Sequence, residues 1–378
     1  MPLTKAGLED VIAANSAICD IIGPEGKLTY RGIDIHDLAR HSSFEETTYL
    51  LWFGHLPSQE ALRQLSSDLA AHRALPREVL ELMRQFPRGA TPMDSLRTAV
   101  SALAFYDPQA HDASNDANVQ KAIRVTAQTA TIVAALEQLR RGRQPVEPSA
   151  RGSHAENFLR MLFAAEPEPI QVRAMDLALI LHADHELNAS TFAARVTAAT
   201  LADMYSAVVS AIGALAGPLH GGANEQVMKM LQKIGEPARV EAFVTETLQA
   251  HKKVSGFGHR VYRTEDPRAT HLRQMSRELG EKAGNLRWYE ISRKLEEVVM
   301  AQKHLYANVD FYSASTYFMM GIPTDLFTPV FAVSRVSGWT AHILEQYADN
   351  RLIRPRAEYI GEKNVPYVPI DQRVKAAS

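Results

Sequence analysis

The strongest constraint on the fold of this chain is the spacing of its apolar residues, which recur three and four positions apart over most of its length. That spacing places them on one face of an α-helix and differs from the alternation of a half-buried strand. Glycine and proline residues interrupt the pattern early in the chain and predict short helices there. We therefore predict an all-α protein. Clear examples of the helical pattern are residues 44–53, 172–181 and 224–234.

One early segment departs from the helical pattern. Residues 17–22 and 27–33 form two short runs that include Ile, Thr and Tyr, with Gly23, Pro24 and Gly26 between them. Two such runs around a glycine and proline turn are typical of a β-hairpin. We therefore expect one small N-terminal β-hairpin in an otherwise helical protein.

The charge balance excludes two classes of partner. The chain has 41 Lys and Arg against 43 Asp and Glu, a net charge of −2. A near-neutral chain has no general attraction for nucleic acids or acidic membranes, so any anion site must be local. Residues 204–224 lack Asp, Glu, Lys and Arg but are rich in Ala, Ser and Gly. They predict a buried helix, because a membrane span needs about 20 strongly apolar residues.

The single cysteine and the N-terminal residues indicate the cellular compartment of the protein. Cys19 is the only cysteine, so no disulfide can form within the chain, which fits a reducing compartment. The N-terminal residues include acids where a secretory signal would be basic and then apolar. We therefore expect a cytoplasmic protein.

Two histidines follow an apolar helical run. His182 and His185 are three positions apart, the spacing of neighbours on a helix face, and Asp184 and Glu186 accompany them. These residue types could bind a metal ion, but their order matches neither HExxH nor HxxEH. The mismatch favours the alternative, a hydrogen-bonding cluster at the end of a helix.

A glycine-rich segment places His220 in a loop just before a predicted helix. The positive end of a helix dipole disfavours an imidazolium ion, so His220 is expected to be neutral. A neutral imidazole can donate a hydrogen bond to a carbonyl oxygen, and Gly221 and Gly222 would let a ligand approach the backbone. A loop histidine without a role is the alternative.

Cations surround a second glycine segment. Gly256 and Gly258 precede His259 in this part of the chain. A high density of cations around a flexible loop suits a phosphate or carboxylate ligand, although the segment is neither a Walker loop nor GxGxxG. An exposed basic loop is the simpler interpretation of this segment alone. The cations are Lys252, Lys253, Arg260, Arg263 and Arg268.

One carboxylate lies in an apolar context. Asp310 stands between Val309 and Phe311, where burial would raise its pKa toward that of a usable base. The alternative is a structural role, because Asp310, Asn308 and Ser313 are all reasonable N-caps for the following helix.

An arginine is predicted inside an apolar helix. Arg335 and His342 are seven positions apart in a run that would place both on one helix face. A buried guanidinium is costly unless it meets an anion. Arg335 is therefore a candidate for binding an anionic ligand.

Taken together and in this order, these segments resemble the citrate synthase family. The resemblance includes the hairpin and extends from about residue 16 to about residue 359. It implies an all-α fold with two domains, a large one of residues 1–221 and 322–378 and a small one of residues 222–321, which close over the substrate. The motifs that carry the resemblance are HADHELNAS, GPLHGGANE, SGFGHRVYRTEDPR, NVDFYSA, SRVSGWTAH and RLIRPR.

The resemblance also implies an activity, the condensation of acetyl-CoA with oxaloacetate followed by hydrolysis of citryl-CoA. Asp310 would be the base that removes a proton from the acetyl methyl group. His220 would stabilise the resulting enol or enolate, and His259 would polarise and finally protonate the ketone of oxaloacetate. The chemistry needs one carboxylate base and two groups that polarise carbonyls, and these three residues supply that set.

The binding residues are implied by the same resemblance. Oxaloacetate is a dianion, and guanidinium forks suit carboxylates better than lysine does. Arg354 would reach the active site of the neighbouring subunit, which implies a plain homodimer. No metal ion and no tightly bound cofactor are expected. The implied oxaloacetate residues are His185, Arg268, Arg335 and Arg354, and the implied CoA residues are Val254, Ser255, Gly256, Phe257, Gly258 and Arg263.

Three alternatives remain open. A 2-methylcitrate synthase would use the same residues with propionyl-CoA, because one methylene changes binding by only about 1–3 kcal/mol. A metal-dependent hydrolase would be built on residues 182–186. A non-catalytic protein that binds CoA or carboxylates is the third, and the intact set of Asp310, His220 and His259 argues against it.

Overall fold

The computed structural model describes residues 6–8 and 11–373, and within them the chain forms sixteen α-helices and three short strands. The extreme ends of the predicted large domain lie outside the described residues. The predicted all-α class with one small sheet is confirmed. The helices are α1 Ile35–His41, α2 Phe44–Phe53, α3 Gln59–Ala71, α4 Arg77–Arg84, α5 Pro92–Leu103, α6 Asn115–Arg140, α7 His154–Phe163, α8 Pro169–His182, α9 Ala189–Ala198, α10 Met204–Leu215, α11 Ala223–Ile234, α12 Val240–Gln249, α13 Pro267–Lys282, α14 Arg287–Lys303, α15 Val309–Met319 and α16 Phe327–Ala348.

Polar residues explain where many helices begin. The Ser43 side chain accepts a hydrogen bond from the backbone N–H of Glu46 at the start of α2, and Thr91 does the same for Asp94 at the start of α5. Such caps satisfy backbone donors that the first helical turn leaves without partners. At the other end of α2, Gly54 adopts a left-handed conformation with φ 83° and stops the helix.

The sheet is antiparallel and has the order β1-β2-β3, with β1 Cys19–Ile22, β2 Lys27–Tyr30 and β3 Ile33–Asp34. Cys19 pairs with Tyr30 and Ile22 pairs with Lys27, so β1 and β2 form the predicted hairpin. The third strand was not predicted, because two residues are too few for a period-two pattern to be visible.

The core is organised around α6 and α16, which pack against each other. In α16 every residue from Phe327 to Ile343 is buried. A helix that is buried around its whole circumference requires neighbours on all sides, and α2, α8, α9 and α10 provide them. This arrangement also buries the Arg335 guanidinium and the His342 ring.

Helices α11 to α15 form a second group. Within it α15 packs against α11 and α13, and α14 packs against α12 and α13. This group falls within residues 222–321, the predicted small domain. The division into two domains stays a prediction, because residues 16–352 behave as one compact unit by their contacts.

Residues 353–373 belong to a compact unit separate from residues 16–352. Residues 353–373 contain little regular structure beyond a short 3₁₀ turn, Ile370–Gln372. Within this segment the Tyr359 hydroxyl donates to the carbonyl of Glu362 at 2.9 Å. In the part of the chain that the structure describes, no helix combines the length and apolarity that crossing a membrane requires.

Candidate active site

The start of α15 holds the glycine loop of residues 256–258 in place. The backbone N–H of Asn308 donates to the Gly256 carbonyl at 2.9 Å, and its side-chain amide donates to the Gly258 carbonyl at 3.0 Å. Gly256 has φ +83°, and a Cβ there would lie 2.8 Å from the Phe311 ring. Glycine is therefore required at this position for the loop to approach α15.

Asp310 lies in the first turn of α15, and Asn308, not Asp310, is the N-cap of this helix. Burial raises the pKa of Asp310 to about 6, although the positive charges of Arg268 and Arg335 oppose the shift and the Asp266 carboxylate adds to it. The predicted apolar environment is thus present, and it gives this carboxyl group a pKa suited to a base near neutral pH.

His259 is held in one tautomer by its own loop. Its Nδ1 accepts hydrogen bonds from the backbone N–H groups of Val261 and Tyr262, at 3.0 and 3.1 Å. Burial, with a smaller effect of the Arg268 charge, lowers the pKa of His259 to about 4. The neutral ring therefore carries its proton on Nε2, which is left to donate to a ligand.

His220 lies in the loop before α11, as predicted, and is bonded to Ser190. Its Nε2 is 2.8 Å from the Ser190 hydroxyl and accepts from the Ser190 backbone N–H at 3.3 Å. A backbone N–H can only donate, so the proton of the neutral ring lies on Nδ1. Burial, followed by the Arg335 charge, lowers the pKa of His220 to about 4. The Trp339 indole also donates to the Ser190 hydroxyl, at 3.1 Å.

Ser190 and Trp339 were missed by the sequence analysis. Ser190 belongs to the HADHELNAS motif, and Trp339 lies between the two polar residues singled out in α16. Both residues could have been found, because each lies inside a motif that had been selected for other residues.

Two buried arginines lie beside these groups and differ in their partners. Arg268 forms a two-bond ion pair with Asp266, with N–O distances of 2.9 and 2.8 Å. Arg335 donates from Nε to the His182 carbonyl at 2.6 Å and lies over the Phe331 ring. Among the described residues no carboxylate pairs with Arg335, and burial lowers its pKa. A buried guanidinium that has no carboxylate partner favours binding of an anionic ligand.

His185 joins the same group. Its Nε2 lies 3.3 Å from the Tyr262 hydroxyl, and its ring centroid is 5.2 Å from that of His259. Burial lowers the pKa of His185 well below its ordinary value, and the charge of Arg268 adds to the effect. His185 thus lies beside His259 and close to both buried arginines, a set of groups that suits a small dianion.

The four residues considered for a metal ion point to different partners. Helix α8 ends at His182, so His185 does not share its helix face, and the His182 ring donates from Nδ1 to the Ala178 carbonyl at 2.7 Å. The Asp184 carboxylate lies 3.3 Å from His342 and accepts from the Glu186 N–H. Across residues 6–8 and 11–373, no three His, Cys, Asp or Glu side chains are grouped as metal ligands would be.

A cavity of about 820 Å³ adjoins His259 and contains half of the predicted CoA residues. Val254, Phe257 and Gly258 line it, whereas Ser255 and Gly256 do not. Arg263 lines a neighbouring cavity of about 180 Å³ that shares His259 and Gly258. A larger cavity of about 990 Å³ lies elsewhere and contains none of the predicted site residues. Additional cations that line the 820 Å³ cavity are Lys252, Lys253, Arg260 and Lys303.

Lys303 was missed because it lies at the end of α14, outside the motifs that drew attention. Arg354 belongs to the terminal unit, where it is exposed. Its role at a neighbouring active site stays a prediction.

Comparisons with known proteins identify the family to which the chain is similar. The family described as "Citrate synthase, C-terminal domain" matches residues 7–356. The chain is 52% identical over 368 residues to "Citrate synthase 2" of Bacillus subtilis, covering 97% of this chain and 98% of that one. It is 42% identical over 362 residues to a "2-methylcitrate synthase" of Mycobacterium tuberculosis, covering 96% and 92%.

A solved structure shares the fold at high similarity. It is the ternary complex of carboxymethyl coenzyme A and oxaloacetate with citrate synthase from Thermoplasma acidophilum. The TM-score is 0.92 at 35% identity, with 97% of this chain and 99% of that chain covered.

Proposed function

The chain belongs to the citrate synthase family and is an acyltransferase of that type, and we propose that Asp310, His220 and His259 carry out its condensation of acetyl-CoA with oxaloacetate. The observation that carries this assignment is the Asp310 carboxyl group, which has a pKa of about 6. The buried arginines that act on this pKa also act on the two neutral histidines, Arg268 on His259 and Arg335 on His220. This is the combination that enolisation and carbonyl attack require.

The first step is removal of a proton from the acetyl methyl group by the Asp310 carboxylate. The negative charge that develops on the thioester oxygen is stabilised by the Nδ1–H of His220, while Ser190 holds Nε2 as an acceptor. Because His220 is neutral, it donates this hydrogen bond without first losing a charge.

The enol carbon then attacks the ketone carbon of oxaloacetate. The Nε2–H of His259 polarises the ketone oxygen and finally protonates it, giving citryl-CoA. Water hydrolyses the thioester to citrate and free CoA. His259 suits this role because Val261 and Tyr262 keep its Nδ1 as an acceptor and leave the proton on Nε2.

Oxaloacetate is assigned to His185, Arg268 and Arg335, together with Arg354 of a second subunit. Arg335 supports the assignment most strongly, since this residue is 1% exposed and its guanidinium has no carboxylate partner among the described residues. CoA is assigned to the 820 Å³ cavity, where Lys252, Lys253 and Lys303 suit its phosphates.

A homodimer is part of the proposal, and the terminal unit supports it. Large apolar side chains in this unit are exposed, including Ile360 at 93% and Tyr367 at 83%. Exposed apolar side chains in an extended segment favour packing against another chain. To test a shared site, Arg354→Ala and Asp310→Ala subunits would be mixed. Regained condensation activity supports the shared site, and none, with subunit exchange demonstrated by mass, contradicts it.

Closure of two domains over oxaloacetate is also proposed, with hinges near Gly221–Gly222 and residues 321–323. Gly321 has φ +87°, which few residues other than glycine adopt. Solution scattering with and without oxaloacetate tests closure, and identical curves would contradict it. A cytoplasmic location completes the proposal and is checked by cell fractionation.

The test of the reaction itself is the release of CoA thiol in the presence of oxaloacetate and a chelator. We expect faster release from acetyl-CoA than from propionyl-CoA at matched concentrations. Faster release from propionyl-CoA would keep the residue roles and assign 2-methylcitrate synthase activity instead. Thiol release that chelator abolishes would favour the metal-dependent alternative.

A further inference from the structure

The tight turn of the N-terminal hairpin, residues 23–26, contacts the loop that carries His259. The carbonyl oxygen of Gly23 accepts a hydrogen bond from the backbone N–H of Arg263 at 3.1 Å. From this contact we propose that the hairpin turn is a positioning element for His259, which sets its Nε2–H where the ketone of oxaloacetate binds. The inference rests on the function proposed above.

The approach between the two segments is closer than any side chain would permit. A Cβ at Gly23 would lie 2.3 Å from the Val261 carbonyl oxygen and 3.0 Å from its carbonyl carbon. A Cβ at Gly26 would lie 2.6 Å from the Thr264 methyl carbon and 3.0 Å from the Glu265 carbonyl oxygen. The hairpin turn is thus seated directly on the backbone of residues 261–265, and both glycines are needed for that contact.

The contact reaches His259 through one residue. The carbonyl of Val261 faces Gly23, and the N–H of Val261 donates to Nδ1 of His259 at 3.0 Å. The next N–H, from Tyr262, donates to the same Nδ1 at 3.1 Å. A displacement of Val261 therefore lengthens the hydrogen bonds that fix the tautomer and orientation of the ring.

The other end of the hairpin is tied to the second histidine of the pocket. The Tyr30 hydroxyl donates to the Asp184 carbonyl at 2.9 Å and accepts from the Asp184 N–H at 3.2 Å. His185 is the next residue in the chain. Antiparallel pairing of Cys19 with Tyr30 and of Ile22 with Lys27 fixes the distance between the two ends.

The hairpin therefore connects the segments of His185 and His259, whose ring centroids are 5.2 Å apart. In the proposed division these segments belong to different domains, so seating of the turn on the His259 loop is a feature of the closed enzyme. A misplacement of about 1 Å in a group that acts on substrate can reduce the rate about 100-fold. The hairpin turn thus has a role in catalysis without touching substrate.

The direct test is Gly23→Ala, because Gly23 has no positive φ and the new methyl group acts by its volume alone. We expect kcat/KM for oxaloacetate to fall about 10- to 100-fold, with weaker oxaloacetate binding by calorimetry and a melting temperature close to that of the native enzyme. The matched control is Gly89→Ala, which also lacks a positive φ and has open space around its Cβ position.

A second pair keeps the test decisive if Gly23→Ala does not fold. Gly26→Ala is compared with Gly32→Ala, since both positions have positive φ, +63° and +83°, but only Gly26 would meet a neighbour. Adding Thr264→Ser to Gly26→Ala removes the methyl group at 2.6 Å and should restore part of the oxaloacetate affinity.

The outcomes separate this inference from the proposed function. Variants at Gly23 or Gly26 whose oxaloacetate affinity and kcat/KM stay within twofold of their controls would overturn the inference while the native enzyme remains active. A native enzyme that releases no CoA thiol with oxaloacetate would overturn the proposed function, and this inference with it.

Discussion

Helices α13 and α15 both begin beside an aspartate, Asp266 buried and Asp310 half-buried, and the pKa values of the two carboxyl groups shift in opposite directions. Asp266 caps α13, pairs with Arg268 and accepts from the backbone N–H of Val309 at 3.2 Å. Burial by itself would raise its pKa, but the charge and hydrogen bonds of Arg268 hold the pKa of Asp266 below its ordinary value. Asp310, in the first turn of α15, has no such pair among the described residues, and burial raises its pKa to about 6.

Burial acts in the same direction on both carboxyl groups, so the immediate partner decides which of them can serve as a base. A carboxylate that is already hydrogen-bonded and paired is a poor base, because protonation would break those contacts. A carboxylate without such a partner in the same low-dielectric region is stabilised when it accepts a proton. Asp266 therefore fixes the position of the Arg268 guanidinium, whereas the Asp310 carboxylate is free to accept a proton.

The largest expected effect is on turnover. Asp310→Asn should lower kcat about 10²- to 10⁴-fold, the range typical of a lost general base, while oxaloacetate binding by calorimetry changes little. The control is Asp176→Asn, since burial also raises the pKa of Asp176, to about 7. Asp176 bonds the Phe44 N–H at the start of α2, and its replacement should leave kcat unchanged. Near-native turnover of Asp310→Asn would refute the assignment of the base.

The next effect is on stability at the paired aspartate. Asp266→Asn leaves the Arg268 guanidinium buried without its carboxylate, which should cost about 3–5 kcal/mol of unfolding free energy. Chemical denaturation at neutral pH measures this. Asp325→Asn is the control, because its pair with Arg140 is partly exposed and should contribute about 0–1 kcal/mol. Equal losses for the two variants would contradict the contrast.

Asp310→Asn should change the free energy of unfolding in the opposite direction to Asp266→Asn. The folded-state pKa of about 6 exceeds the ordinary 3.8, so the native state favours the protonated form, and this contribution is lost as pH rises through about 6. Asp310→Asn avoids that loss and should be more stable than the native enzyme above pH 6, by up to about 3 kcal/mol. The gain should vanish below about pH 4. Denaturation curves at the two pH values test it, and destabilisation at pH 8 would contradict it.

The smallest effect is on the pH profile. Because Asp310 must be ionised to accept a proton, kcat/KM should fall about tenfold for each pH unit below about 6. His220 and His259, with pKa values of about 4, stay neutral through that range and should not shape this limb. An acid limb centred near pH 4 instead would contradict the raised pKa of Asp310 and weaken the contrast between the two aspartates.

Much of this site was visible in the sequence because its residues lie in short local motifs. Asn308 and Asp310 are two positions apart, and a cap followed by an acid in an apolar helix can be recognised without tertiary information. The largely apolar sequence of α16 likewise predicted that Arg335 would be buried. The hairpin was predicted from the glycine and proline residues of its turn, because the preference of these residues for turns is a local property.

Only the tertiary structure decided which partner each group meets. Asp266 and Asp310 both lie at the start of a helix, but only the fold brings the backbone N–H of Val309 to the Asp266 carboxylate and places the Asp310 carboxylate where burial raises its pKa. The same holds for Ser190, which contacts the loop residue His220 from helix α9, and for Gly23, which meets Val261 across a long separation in sequence. Helix periodicity, capping and turns act over a few residues and can be predicted from the sequence. Pairing, desolvation and close backbone contact depend on segments that only folding brings together.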